Sequence, residues 1–365
     1  MKFKEYFLGA PLYKDEKTTE SLKAKYKIKN LVKMSSNENM LGPSPKAVKA
    51  MQDYLAEIHR YPTFSDSTFR DALVETMGRG TTRDHFVSGN GGCDVLSMIA
   101  MAFLSPGDEF IFHRPTFPIY QSVSCRMGAK PVTIDLNRET FKYNVDDILD
   151  AITDHTRLIF LANPNNPTGN ILTAKQMDRL VNNLPSNTLL VADEVYYHYV
   201  TSPDYPDTLE YVFQGKNVLI LHSFSKAFGL AGIRLGYGIA RPELIRYIAR
   251  AREAYHSSSL AIQAGIAALS DTEHIQKTVS TTKEGRAWLC EKLNELGVQT
   301  WLSETNFIMC KPSKDVTEIV HELLKREIMI RPMDGFYLPT HFRVTVGLPK
   351  DNEKFINALK EVLGV

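Results

Sequence analysis

The sequence predicts an α/β protein: a large domain on a mostly parallel sheet flanked by helices, then a smaller α+β domain. Three observations carry this. Short apolar runs at 157–162 (RLIFLA), 189–192 and 218–221 read as strands buried on both faces. Helix-length segments separate such runs, the pattern of a covered parallel sheet. Beyond Pro242 the balance shifts to long helices and then to a mixed strand and helix tail.

The elements follow in order. Residues 1–35 are polar and lysine-rich and read as an arm. Ser44 is a helix N-cap with Pro45 at the first helical position. That helix puts Ala47, Met51, Tyr54, Leu55 and Ile58 on one face and ends before Tyr61-Pro62. Helices are predicted at 68–77, 94–104, 117–127 and 173–184, and strands at 85–88, 109–112 and 131–134, besides the runs above. The tail holds helices at 243–255, 260–269 and 273–296. A strand-rich stretch at 298–311 follows, then an amphipathic stripe from Val316 to Leu324. Strands at 328–331 and 342–346 and a helix at 353–363 complete the chain. The expected division is an arm and joining segment at 1–45, a large domain at 46–250 and a small domain at 251–365.

Composition narrows the function classes. The 365 residues suffice for two domains, and 43% hydrophobic with 23% charged residues is ordinary for a globular protein. A net charge of +1 gives no bulk attraction to nucleic acid or to an anionic membrane. Cys93, Cys125, Cys290 and Cys310 are far apart, so no CxxC pair points to a metal, and sparse cysteine fits a reducing compartment. The first residues, MKFKEYFLGAPLYKDEK, carry charges where a signal peptide needs an apolar core. No run approaches the roughly 18 apolar residues of a membrane span. A cytoplasmic protein acting on small molecules is expected.

In an open α/β sheet the ligand sits beyond the carboxyl ends of the strands. Polar clusters follow several predicted strands: GNGGCD at 89–94, HRPTF at 113–117, NPNNPTG at 163–169, DEVY at 193–196 and HSFSK at 222–226. Their shared position argues for one site. Most lysines are solvated surface groups. Lys226 instead follows a buried strand among small residues, where lost water favours the neutral amine that attacks an aldehyde. Arg234 is either a surface or ion-pair arginine or a planar fork for a phosphate, beside Ser223. Gly91 and Gly92 open the helix near Cys93 and bring bare backbone N–H groups to the same anion. Asp193 ends LLVAD and either caps a turn or pairs with a pyridinium nitrogen. Tyr196 and Asn166 reach a phenolic oxygen, and Phe117 either packs in the core or offers a stacking face. The combined reading is pyridoxal phosphate held as a Schiff base on Lys226.

NPNNPTG, DEVY and SFSKAFGLAGIRLGY, in that order, resemble the fold-type I pyridoxal-phosphate enzymes of the class I/II aminotransferase superfamily, from about residue 35 onward. The resemblance implies a seven-stranded central sheet and pyridoxal 5'-phosphate as cofactor. It makes Lys226, Asp193 and Tyr196 catalytic, with Gly91, Gly92, Cys93, Phe117, Asn166, Ser223, Ser225 and Arg234 binding the cofactor. Arg343, in HFRVTVG, matches the arginine for a substrate α-carboxylate. LGAPLYK, NENMLGPSP, HRYPTF and MIRPM resemble, more narrowly, the histidinol-phosphate aminotransferases. That resemblance implies a homodimer in which Tyr61 reaches the neighbouring subunit's cofactor phosphate. It also implies a lid at 1–35 and substrate contacts from Tyr13, Asn37 and Arg331. The chain departs from the pattern at Gly92 and Cys93, where a serine and an acid are usual, and at Phe117, where tyrosine is common.

The expected reaction is amino transfer between histidinol phosphate and 2-oxoglutarate, with glutamate as partner, through a 1,3-proton shift at Lys226. The first alternative is an aromatic or broad-range aminotransferase, with Tyr13, Tyr61 and Phe336 lining an apolar pocket. Decarboxylation of a phosphorylated amino acid and Cβ–S cleavage are further alternatives. A ligand-sensing regulator would need a basic helix-turn-helix segment, and none is visible before residue 46. GNGGCD lacks the GxGxxG spacing of a dinucleotide site.

Overall fold

The computed structural model describes residues 3–10, 19–63 and 65–365. After the short strand β1 (Val32–Lys33) come β2 (Phe86–Gly89), β3 (Glu109–Arg114), β4 (Lys130–Asp135) and β5 (Thr156–Ala162). β6 (Leu189–Asp193), β7 (Val218–Ser223) and β8 (Gly236–Ile239) complete a seven-stranded sheet of order β2-β8-β7-β6-β5-β3-β4. β4, β3, β5, β6 and β7 run parallel, and β8 is antiparallel to both β7 and β2. The sheet is thus mostly parallel, as expected.

Both faces are covered, which is why the strands read as unbroken apolar runs. Along β5, Leu158, Phe160 and Ala162 join one core, while Ile159 and Leu161 join the opposite one. Each such Leu, Ile or Phe contributes about 1.5–3 kcal/mol by leaving water. The sequence reading missed β8, because GYGI lacks the β-branched run of its neighbours. Its glycine is required by contact: a Cβ on Gly236 would lie 2.6 Å from the Gly92 nitrogen.

A second sheet holds β9 (Gln299–Thr300), β10 (Phe307–Lys311), β12 (Arg331–Pro332) and β13 (Phe342–Thr345) in the antiparallel order β12-β13-β10-β9. β11 (Ile328–Met329) pairs parallel with β1 in a separate two-stranded sheet, and the Thr345 nitrogen of β13 donates to the Met34 carbonyl at 2.8 Å, which ties the N-terminal segment to the four-stranded sheet. Its core gathers Met34, Ile308, Val344 and Phe355 with Leu289 and Leu293 of the long helix Thr272–Glu295.

Two helices differ from expectation. Helix Pro45–Tyr54 is capped as predicted, with Ser44 Oγ accepting from the Ala47 nitrogen at 3.2 Å. Of its expected apolar face only Ala47 is buried, and Leu55 and Ile58 lie beyond the helix, 52% and 59% exposed. The helix expected over 243–255 stops at Ile248, as Pro242–Ile248. A 3₁₀ turn, Ala249–Ala251, follows, and Arg252 beyond it is extended and pairs with the buried Asp66. Arg252 Nη1 reaches Asp66 Oδ2 at 2.7 Å, and Arg70 holds Oδ1 at 2.8 Å.

Candidate active site

The carboxyl ends of β5, β6 and β7 open on one cavity of about 350 Å³. Asn166 enters it from the loop after β5, Asp193 from the end of β6, and Tyr196 from the turn beyond. Ser223, Ser225 and Lys226 enter from the end of β7 and its following turn. Gly92, Cys93 and Phe117 line the same cavity, as do Arg234, Arg331, Asn37 and Arg343.

One end is built for an anion. Gly91 is the N-cap of the twelve-residue helix Gly92–Phe103, with φ of +83°. A Cβ on Gly91 would sit 2.3 Å from Arg234 Nη2, so backbone and guanidinium meet in a cradle that admits no side chain. Arg234 Nη1 also approaches Ser225 Oγ at 3.4 Å and donates to the Ala231 carbonyl at 2.9 Å. The helix start adds unpaired N–H groups and its positive dipole end. Burial pushes the Cys93 thiol up, so it stands here as a neutral wall. Gly91→Ala should cost about 1–3 kcal/mol of stability from the left-handed backbone. It should also weaken cofactor binding about tenfold or more by displacing Arg234. An absorbance titration of the apoprotein reads the second effect, and unchanged affinity would remove the cradle from the phosphate site.

The floor is Asp193. Its Oδ2 accepts from the Tyr120 hydroxyl at 2.6 Å and its Oδ1 from the Val195 nitrogen at 3.3 Å. Burial pushes this carboxyl up to about 6, against the pull of those two donors. Tyr120 is fully buried, stacked on Phe160 at 5.1 Å and edge-on to Phe117 at 5.8 Å. It therefore joins the carboxylate to the aromatic wall. Tyr120 is not among the residues expected for the site, although it lies only three residues after Phe117, in the first turn of helix Ile119–Cys125.

The other end holds Lys226, Asn37, Asn166 and Arg343. Lys226 Nζ donates to the Asn37 carbonyl at 3.3 Å and lies 5.4 Å from the centre of the Tyr196 ring. Arg343 Nη1 donates to Asn166 Oδ1, and Nη2 donates to the Ser35 carbonyl at 3.0 Å. That contact turns the Asn166 NH₂ away from Arg343, leaving it available for a phenolic oxygen. Arg343 lies over the Phe307 ring at 5.0 Å and is 5% exposed.

Two expected residues stand apart. Tyr61 is 82% exposed and lines a separate depression with Tyr54, Arg252 and His256, not the cavity of its own chain. Its ring lies 4.8 Å from that of Tyr255. Tyr13 lies outside the described residues.

The donor set fits pyridoxal phosphate. The Gly91–Arg234 cradle with Ser223 and Ser225 suits the phosphate, and Asp193 suits a protonated ring nitrogen. Tyr196 and Asn166 suit the phenolic oxygen, Phe117 the ring face and Lys226 the aldehyde.

Comparison with known proteins agrees. Residues 29–359 match the family model for aminotransferase class I and II. The chain belongs to the class I and II aminotransferases. This aminotransferase is 38% identical to the histidinol-phosphate aminotransferase of Moorella thermoacetica, over 99% of this chain and 93% of that protein. It is 36% identical to that of Symbiobacterium thermophilum, over 96% of each. The crystal structure of histidinol-phosphate aminotransferase from Sinorhizobium meliloti in complex with pyridoxal-5'-phosphate superposes with a TM-score of 0.89 at 24% identity, covering 99% and 97% of the two chains. A Thermus thermophilus aspartate aminotransferase double mutant gives 0.85 at 22% identity, over 99% of this chain and 100% of that one. The aminotransferase fold is thus common to relatives with different substrates. Its cofactor is pyridoxal 5'-phosphate, and its substrates are an amino donor and a 2-oxo acid. No described helix is long and apolar enough to cross a membrane.

Proposed function

We propose that this aminotransferase moves an amino group between histidinol phosphate and 2-oxoglutarate. The carrying observation is a pair of guanidiniums. Arg331 on β12 and Arg343 on β13 are direct register partners, and both line the cavity of Lys226. Side chains directly opposite in an antiparallel pair lie on one face. Two cations on one face suit the two carboxylates of glutamate and, in turn, a substrate with a phosphate at its far end. The names of the relatives at 36–38% identity support the same substrate.

The bound cofactor supplies an aldehyde and an electron-withdrawing ring that accepts the electrons left when the substrate Cα loses its proton. The chain does the rest. Asp193, as the anion, holds the proton on the ring nitrogen. Tyr196 and Asn166 donate to the phenolic oxygen, and Phe117 fixes the ring plane. Lys226 Nζ, once free, takes the Cα proton and returns it one position away, acting as base and then acid. Arg343 binds and orients the α-carboxylate of glutamate, and Arg331 grips the distal anion.

Half-reactions of the holoenzyme with histidinol phosphate, phenylalanine and glutamate test this. Histidinol phosphate should discharge the cofactor absorbance with a much higher kcat/KM than phenylalanine. Arg331→Gln should lower that value about 10–100-fold, the worth of a charge-assisted contact, and leave phenylalanine nearly unchanged. Phenylalanine as the better substrate would favour the aromatic reading, for which Phe117 and Phe336 in the cavity wall speak.

The proposal extends to a cytoplasmic homodimer. Leu55, Ile58, Tyr61 and Tyr255 are 52%, 59%, 82% and 49% exposed, an apolar surface for a second copy. Tyr61 would then serve the partner's phosphate site.

A further inference from the structure

Asn37 has φ of +56°, a left-handed backbone rarely taken by residues other than glycine, and it is 2% exposed. That conformation turns its polar groups towards different elements. Its Nδ2 donates to the Tyr196 hydroxyl at 3.0 Å. Its backbone nitrogen donates to Thr345 Oγ1 at 3.0 Å, and that hydroxyl donates back to Asn37 Oδ1 at 3.4 Å. Its carbonyl accepts from Lys226 Nζ at 3.3 Å and from Asn306 Nδ2 at 3.0 Å. The Thr345 hydroxyl fixes the amide with oxygen on one side and NH₂ on the phenol. Every polar atom of Asn37 is thus engaged within the protein, and only one amide N–H is left for a substrate.

We propose that Asn37 is a positioning residue that sets the proton affinity of the lysine–cofactor linkage, acting through Tyr196. The inference rests on the cofactor reading of Lys226 and Tyr196 given above. An N–H donated to a phenol oxygen draws charge from it and leaves the phenol's own proton for the cavity. Tyr196 then donates more strongly to the cofactor's phenolic oxygen and stabilises its anionic form. An oxygen whose charge is already taken up by Tyr196 accepts less strongly from the adjoining protonated lysine nitrogen, which is then easier to deprotonate. The other titratable and charged groups facing Lys226 and Tyr196 are Asp193, Cys93, Tyr120, Tyr199, Glu38, Arg234, Arg331 and Arg343. The variants below leave all of them in place.

The test is the absorbance of the holoenzyme as a function of pH. Asn37→Gly keeps the left-handed backbone, the N–H and the carbonyl and removes only the amide. It should raise the apparent pKa of the chromophore by about 0.5–1 unit. Asn37→Asp should raise it further, because a carboxylate accepts the phenol proton and draws it from the cavity. In a Tyr196→Phe background, Asn37→Gly should add nothing. Thr345→Val, which frees the amide, gives a smaller rise of the same sign and serves as the second variant where Asn37→Gly does not fold. An unmoved titration with only KM raised would overturn the proposal, as would an equal shift in the Tyr196→Phe background. A wild-type protein without a Lys226-dependent chromophore would overturn the cofactor reading itself.

Discussion

Lys226→Ala should lower turnover by about 10⁴-fold or more, since it removes both the nucleophile and the general base. The protein should still fold. Lys226 is half-buried, and its amine is held by one 3.3 Å contact to the Asn37 carbonyl and by the Tyr196 ring. Among the described residues it closes no salt bridge, and the buried Asp193 carboxyl, which its charge favours, keeps its bonds from Tyr120 and Val195 when the amine is lost. The Asn37 carbonyl keeps its bond from Asn306 at 3.0 Å. Absorbance of the purified variant should lack the chromophore of covalently held cofactor, and borohydride should fix no cofactor to the chain. Thermal unfolding of the apoprotein should stay close to wild type. Full turnover by the alanine variant would refute the role of Lys226.

This site was legible because its groups follow apolar strands. Asn166, Asp193 and Lys226 lie in the turns or at the ends of β5, β6 and β7, and a parallel sheet brings such ends together. Tyr120 was hidden because its ring is 0% exposed and reads as core, while only its hydroxyl acts on Asp193. Asn37 is named by the resemblance only as a substrate contact, and its bond to the Tyr196 hydroxyl is hidden for a different reason. SSNENM reads as a turn, and nothing in it reveals that β1 and β11 will carry that turn against Lys226, about 190 positions away. β8 escaped because its glycines answer to the close approach of Gly92 rather than to strand propensity. Helix Pro242–Ile248 gives way to a 3₁₀ turn just before Arg252, whose partner Asp66 is far away in sequence and invisible to local pattern. Local pattern thus reaches most elements and the residues that line the cavity. It missed groups whose role depends on what a distant segment places beside them.

Asp193→Asn should cost about 10³-fold in kcat, the scale for removing a preorganised charge that stabilises the transition state. The carboxyl is 4% exposed, and in the protein alone burial pushes it up to about 6. A ring cation beside it reverses that preference, because an opposite charge within a few ångströms favours the anion. The sign follows. Cofactor binding lowers the proton affinity of Asp193, so binding releases a proton below about pH 6 and is tighter there as pH rises. Above that pH the carboxylate is already charged and affinity levels off. Asparagine has the same shape and can keep the Tyr120 contact, but it holds no charge and cannot keep the ring nitrogen protonated. The variant should therefore bind cofactor with little pH dependence between about pH 5 and 7. Its turnover should stay low across that range, and Asp193→Glu should recover part of it. Cofactor affinity against pH, measured with kcat for both variants, separates charge from shape. An asparagine variant within tenfold of wild-type kcat would show that the ring nitrogen needs no anion here, and the electron sink would then have to work unprotonated.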